Sequence, residues 1–405
     1  MLKKIPIHQV RMGMFVQSLE GAWMHHPFWK NSFKLEDTSD LKKLLASKVT
    51  EITIDTSKGL DVSIEKVTQE SNSKEKPEPL KSEESVHIKG ISAAEECEQA
   101  KKVIYASKQA VASMFNDVRM GKAISAEAAM PLVEDITASV SRNESALISL
   151  VRLKSKDDYT YMHSVAVCAL MVALGKQLKL SEDEIKQAGL AGLLHDIGKA
   201  GIPLEILNKP AALSDSEFDL IKLHPERGYA LLIEGNVKDQ VVLDVCLHHH
   251  EKIDGTGYPG NFQDEEISLF AKMGAVCDVY DAVTSNRPYK AGWEPGVSLQ
   301  RMAQWKGHFD EEIFKAFVKS VGIYPVGTTV KLKSGKLGVV IDQSAKSLLT
   351  PIVKVFYSIK SQTRIPAEII DLSKSSTTEE IIGQEDPTAW GITDVHEIWS
   401  QYEIW

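Results

Sequence analysis

Histidine and aspartate recur in this 405-residue chain at places where apolar helical patterns stop. The run Gly189 to Lys199, GLAGLLHDIGK, halts at His195 and Asp196 and turns through Gly198. A second run closes on His224-Pro225, and a third, VVLDVCLHHH, finishes in His249 and His250. His163 lies on one long apolar helix and Asp278 on another, with Asp281 one turn further along the same side. A buried imidazole or carboxylate is costly unless something compensates it. Taken singly, each fits a hydrogen-bonded core group, as His163 would among its small and apolar neighbours. Gathered at one centre, they suit first-row divalent metals and outnumber the four ligands of a tetrahedral ion. Two ions are therefore the expected count, with a carboxylate such as Asp196 able to bridge them. A bridged pair is a recurring device for hydrolysing phosphate esters.

The helices that must carry these residues announce their starts. Ser181 with Glu184 and Ser214 with Glu217 are capping-box patterns. The first opens the helix running into His195-Asp196. The second opens one expected to end at His224-Pro225, where proline prevents continuation. A helix is expected from Tyr161 to about Leu178 and another from Ile267 to Ser285, and the glycine-rich stretch Glu251 to Gly260, EKIDGTGYPG, must be loop. Upstream, residues 91–154 carry three amphipathic runs: from Ser92 to about Asn116, Ser125 to about Ser141, and Glu144 into Leu153. These either form a connecting stalk or dimerisation surface or pack on the helices that follow. Residues 1–65 read as a small mixed α/β domain, with strand-like runs at Ile5–Val10, Met14–Leu19, Ser32–Leu35 and Glu51–Asp55 around a helical segment, Asp40–Ser47. His25 and His26 would face opposite ways on a strand, which argues against a shared metal. Residues 66–90, charged and rich in Ser and Pro, read as a disordered linker.

Composition narrows the partners. With 47 Lys and Arg against 56 Asp and Glu, the net charge is −9, which argues against a nucleic-acid polymer or a membrane surface as the general partner. Four cysteines, Cys97, Cys168, Cys246 and Cys277, show no CxxC spacing, so disulfides are not expected and a reducing cytosol fits. The first residues lack a signal-peptide core and no apolar run reaches spanning length, so a cytoplasmic protein without membrane insertion is expected. The N-terminal domain lacks the βα alternation of a phosphoacceptor receiver.

HDIGK at 195–199, HHE at 249–251, DGTGYP at 254–259 and DVYDAVTSNRPYK at 278–290 resemble the HD-GYP family, bacterial phosphodiesterases of cyclic dinucleotides. The resemblance covers roughly residues 155–320, in order and with compatible spacing. The first 65 residues, with RMGMFV, HPFW and EITIDTSKG, resemble the small domain of uncertain role that often precedes such modules. Residues 321–372 are similar to the strand-rich extension that often follows, leaving 373–405 as an acidic tail ending in aromatics. The fold class implied is mainly α: an all-helical HD-type core between the small α/β domain and a short β-rich extension.

The resemblance also implies roles. One metal would be held by His163, His195, Asp196 and Asp278, and the second by Asp196, His224, His249 and His250, with iron or manganese as the ions. Lys199 would face the substrate phosphate as a catalytic group beside Asp196. Arg287 and Lys290 would hold the dinucleotide's other phosphate or its guanine edges. Tyr258 would line the lip of the site, and with Pro259 offer a surface to a GGDEF-type cyclase. Relatives with a third metal carry glutamate where Tyr159 stands here, so two are expected. The implied reaction is hydrolysis of a 3′,3′ cyclic dinucleotide, foremost cyclic di-GMP, to linear pGpG and on to GMP where the product rebinds. Cyclic GMP-AMP is the alternative substrate, and a non-catalytic sensor or docking module the alternative class.

Overall fold

A computed structural model of the chain describes residues 2–19, 33–35, 38–45, 51–60, 93–151, 159–209, 211–285, 292–344 and 347–400. Two compact units divide it, within residues 1–86 and 87–405. In the first, strands β1 (Leu2–Pro6), β2 (Phe15–Leu19), β3 (Phe33–Lys34) and β4 (Glu51–Asp55) form an antiparallel sheet in the order β1-β4-β2-β3, with helix α1 at Thr38–Leu45. Alternation along β4 buries Ile52 and Ile54 against Ile5, Met14, Val16, Leu35 and Leu44. The first strand lies earlier than Ile5–Val10: Pro6, which has no N–H for a ladder, closes it, and Ile7–Gln9 turn as a 3₁₀ helix. His25, His26 and the linker at 66–90 lie outside the described residues.

The second unit begins with α2 (Ala93–Arg119), α3 (Ala126–Arg142) and α4 (Glu144–Val151). These do not stand off as a stalk. Phe115 of α2, Val133 and Ile136 of α3 and Leu147 of α4 share one core with α5 (Tyr159–Gln177) and α6 (Glu182–Leu194). A polar clasp adds direction to that packing. The fully buried Glu96 carboxylate receives two arms of the Arg142 guanidinium at 2.7 Å each and the Ser139 hydroxyl at 2.8 Å. The middle of α5, Val165 to Leu174, is buried throughout, so its pattern is apolar all round and not striped. The helices α5 and α6 approach closely because residue 192 has no side chain: a Cβ there would stand 2.9 Å from the Val167 carbonyl oxygen.

The chain continues through α7 (Leu204–Leu207), α8 (Asp215–Lys222), α9 (His224–Glu234), α10 (Gln240–His248), α11 (Leu269–Thr284), α12 (Pro295–Met302) and α13 (Glu311–Val321). Both capping boxes form, at the starts of α6 and α8. One expected boundary is corrected. The helix opened by Ser214 ends at Lys222, and His224-Pro225 begins α9 instead of ending α8. Proline in a first turn lacks only an N–H that the helix leaves unpaired, so it starts a helix as readily as it stops one.

Five antiparallel strands follow: β5 (Thr329–Leu332), β6 (Lys336–Asp342), β7 (Ile352–Ser358), β8 (Thr363–Asp371) and β9 (Ile381–Gln384), in the order β8-β7-β6-β5-β9. The fifth strand comes from the segment read as tail. Ile392 and Trp399, from the same segment, enter the sheet's core, Trp399 on α14 (Val395–Ser400). Leu150 of α4 packs against both the helical and the sheet cores, which joins them within this unit.

Candidate active site

Five helices deliver one polar cluster into the apolar helical core. His163 projects from α5, His195 caps the C-terminus of α6, His224 opens α9, His249 caps α10, and Asp278 lies on α11. Asp196 sits in the turn after α6, at the start of a 3₁₀ segment, Ile197–Gly201. All six of these side chains are buried. Glycine again sets the spacing: a Cβ on Gly198 would stand 1.9 Å from the His224 carbonyl oxygen, so only glycine lets the start of α9 reach the His195-Asp196 turn.

The Asp196 carboxylate divides the cluster. Its Oδ2 is 3.4 Å from Nε2 of both His163 and His195, while its Oδ1 is 3.2 Å from His224 Nε2 and 3.8 Å from His249 Nε2. Asp278 reaches across in the same manner, with Oδ1 2.9 Å from His163 Nε2 and Oδ2 3.6 Å from His250 Nδ1. Behind the rings, acceptors fix the tautomers. His163 Nδ1 donates to Asp281 Oδ2 at 2.6 Å, His195 Nδ1 to the Gly192 carbonyl at 2.8 Å, His224 Nδ1 to Ile221 at 2.7 Å and His249 Nδ1 to Val245 at 2.9 Å. His195, His224 and His249 therefore carry the ring proton outward and turn an Nε2 lone pair inward, while His163 is held by carboxylates at both nitrogens, Asp281 behind and Asp278 in front.

That arrangement fits a cation. His224 Nε2 and His249 Nε2 stand 3.2 Å apart, two acceptors face to face. His195 Nε2 and Asp196 Oδ1 are buried and have no aligned hydrogen-bond donor, although His224 comes within 3.2 Å of that oxygen. A divalent ion satisfies such atoms where another side chain cannot. Among the described residues, three groups of side chains have the reach to hold one: His224, His249 and His250; His163, His195 and Asp278; and His195, Asp196 and His249.

Electrostatics keep the donors mostly in their ligating states. Burial, reinforced by the neighbouring imidazoles, drives His249 well below its ordinary value, and burial takes His250 down to about 3. Burial also lowers His224. For Asp196 burial opposes ionisation, but Lys199, His195 and His224 outweigh it and hold the carboxyl well below the usual range. Asp278 is held low against burial by His163, His250 and His195. His163 runs the other way: hydrogen bonds with Asp278 and Asp281 outweigh burial and raise it, so metal loading there must displace a proton.

Above the cluster lies a cavity of about 370 Å³ lined by His163, His224, His250, Asp278, Lys199 and Tyr258. Lys199 pairs with Asp196 Oδ2 at 2.5 Å. Tyr258 stacks on the His250 ring, centroids 4.7 Å apart. Its loop is pinned from within, because the Glu251 carboxylate receives the Gly260 N–H at 2.6 Å and the Phe262 N–H at 3.1 Å. Thus His163, His195, Asp196, Lys199, His224, His249, His250, Tyr258 and Asp278 come together. Arg287 and Lys290 lie outside the described residues. Asp281 and Glu251 gained no role from the sequence, although the three-residue spacing of Asp278 and Asp281 was the available signal for the former.

An all-helical core whose helix ends gather imidazoles about a His-Asp step defines an HD-domain protein. The HD domain family matches residues 131–313, beginning inside α3, and the "Domain of unknown function (DUF3391)" family matches residues 2–129. The chain is 52% identical over 406 residues to "Cyclic di-GMP phosphodiesterase PA4108" of Pseudomonas aeruginosa, covering 99% of this chain and 96% of that protein. It is 34% identical over 200 residues to "Cyclic di-GMP phosphodiesterase response regulator RpfG" of Xanthomonas campestris, 47% of this chain and 52% of that one. It is 35% identical over 170 residues to "3'3'-cGAMP-specific phosphodiesterase 1" of Vibrio cholerae, 41% of this chain and 39% of that one. The chain belongs to the HD-GYP family of HD-domain proteins.

Proposed function

We propose that the protein is a metal-dependent phosphodiesterase that opens a 3′,3′ cyclic dinucleotide, cyclic di-GMP first, to the linear pGpG and on to GMP where the product rebinds. The observation that carries the reading is the Asp196 carboxylate, whose two oxygens face two separate groups of inward-turned imidazoles at the floor of a cavity. The likeness over nearly full length to a protein named as a cyclic di-GMP phosphodiesterase supports the same substrate.

In this reading His163, His195, Asp196 and Asp278 hold one divalent ion, and Asp196, His224, His249 and His250 the other, iron or manganese. When bound, such a pair supplies Lewis acidity toward the phosphoryl oxygens and activates water for attack. The new bond is from water oxygen to phosphorus and the bond broken is from phosphorus to the 3′ oxygen. Lys199, held on Asp196 at the cavity edge, balances charge on the phosphoryl group and protonates the departing 3′ oxygen. Asp281 keeps the His163 ring in its ligating tautomer. Tyr258 covers His250 and narrows the lip, while Arg287 and Lys290 grip the second phosphate or a guanine edge. The GYP loop is the surface we assign to a GGDEF-type cyclase and the helical unit to homodimer formation. Among the described residues no helix is long and apolar enough to cross a membrane. A cytoplasmic location belongs to this proposal.

The test is incubation of the purified, metal-loaded protein with cyclic di-GMP and cyclic GMP-AMP side by side, with products separated by chromatography. Asp196→Ala should lose metal and turnover together, whereas Lys199→Ala should keep its metal and lose turnover. Full turnover in the Lys199 variant would remove that residue from the mechanism. Faster hydrolysis of cyclic GMP-AMP would favour the second reading, which the likeness to the Vibrio cholerae protein supports. Binding of both nucleotides without product would make the protein a sensor.

A further inference from the structure

The part of the cavity wall that leads into His224, whose ring donates to the Ile221 carbonyl of α8, has a different character. It is formed by α7, α8 and the connection between them, and it presents Ile206, Leu213 and Phe218 together with Lys209. Helix α8 has an apolar side, yet none of its residues is buried, and Phe218 keeps 46% of its surface exposed. The Lys222 ammonium lies over the Phe218 ring, 4.8 Å from its centroid, and the exposed remainder of the ring, beside a polar floor, is the surface it has to offer a ligand. What fixes α8 is polar. The Ser214–Glu217 capping box starts it, and the Lys209 ammonium gives hydrogen bonds to both Glu217 oxygens, at 2.9 and 2.6 Å. An ammonium carries three hydrogens, so Lys209 retains one for the cavity it lines.

We propose that this wall reads the purine of the nucleotide whose phosphate meets Lys199: Phe218 stacks on the base, and Lys209 donates to the O6/N7 edge of guanine. The inference rests on the hydrolysis reading above and assigns to that site its base preference. Stacking on an aromatic ring tolerates any base. Discrimination must therefore come from the hydrogen-bonding edge. Guanine offers two acceptors there, O6 and N7, whereas adenine replaces O6 with the N6 amino donor, which an ammonium repels. Lys209 is held at the cavity wall by Glu217 before the nucleotide arrives, which lowers the cost of ordering it.

The experiment measures kcat and KM of metal-loaded protein for cyclic di-GMP, cyclic GMP-AMP and cyclic di-AMP, with metal content determined for each variant. Phe218→Ala should raise KM about tenfold for all three substrates and leave their ratios unchanged, and Phe218→Trp should restore KM. Lys209→Met should cut the preference for cyclic di-GMP over cyclic di-AMP by about tenfold or more at unchanged metal content. Lys209→Arg retains the ion pair and presents a fork suited to O6 and N7, so it should hold or sharpen that preference. An equal fall for all three substrates in Lys209→Met, a lost preference in Lys209→Arg, or an unchanged KM in Phe218→Ala would overturn the assignment. Wild-type protein inert toward all three nucleotides would instead overturn the hydrolysis reading, and the inference with it.

Discussion

Gly198→Ala changes one hydrogen to a methyl group, and the structure says where that methyl must go. Its carbon would stand 1.9 Å from the His224 carbonyl oxygen and 2.5 Å from the Gly228 nitrogen, both backbone atoms of α9, and real Cβ contacts do not fall below 3.0 Å. The start of α9 must retreat by more than an ångström. His224 Nε2 begins 3.2 Å from both Asp196 Oδ1 and His249 Nε2, and metal–ligand distances tolerate only about 0.2 Å of error. In the proposed metal site the retreat would therefore remove His224 as a ligand while the apolar core, centred on α5 and α6, stays closed. Overpacking of this kind costs about 1–3 kcal/mol. The assay is metal per chain by mass spectrometry beside far-ultraviolet circular dichroism and turnover of cyclic di-GMP. The expected result is an unchanged helical spectrum, at least one ion lost per chain, and turnover reduced beyond the roughly 100-fold that loss of an outer partner costs. A Gly198→Ala protein with full metal and parental turnover would refute the claim that this close approach positions His224.

Asp281→Asn should reduce metal affinity or turnover about 10- to 100-fold without unfolding the protein, since it weakens the bond that orients His163; titration with metal reads it directly. Arg142→Leu leaves the Glu96 carboxylate buried without its guanidinium and should cost about 3 kcal/mol in urea unfolding, the low end for a broken buried pair because Arg142 is itself half-buried. Adding Glu96→Leu should recover most of that loss. Glu144 opens α4 with Oε1 buried and without a hydrogen-bond partner, and burial raises its carboxyl from 4.5 to about 8. A raised carboxyl stabilises the folded state below its unfolded pKa, and that stability is lost as pH climbs toward 8. The expected decline between pH 4 and 8 is up to about 5 kcal/mol, and Glu144→Gln should flatten it. A melting temperature of the Gln variant that tracks the parent across this range would count against the burial argument.

The capping boxes at Ser181 and Ser214, the long apolar run of α5 and the glycine-rich loop were legible because each is a local signal, written within a few consecutive residues. The turn at His224-Pro225 was legible as a boundary but not as a beginning, because proline is compatible with both. The fifth strand and Trp399 were hidden in the tail for another reason. A four-residue strand has little periodicity of its own and forms because β5 offers it a partner.

The ligand types follow the same division. The sequence by itself supplied histidines and aspartates at helix ends, and with them the chemistry of a divalent-metal phosphodiesterase. Only the tertiary structure decided that Asp196 turns one oxygen to each group of imidazoles, that Asp281 stands behind His163, and that Phe218 and Lys209 line the same cavity as the cluster. Those relations join residues tens to more than a hundred positions apart. They depend on how closely helices approach, which the glycines at 192 and 198 set through missing atoms, and a missing side chain carries no direction until its neighbours are in place.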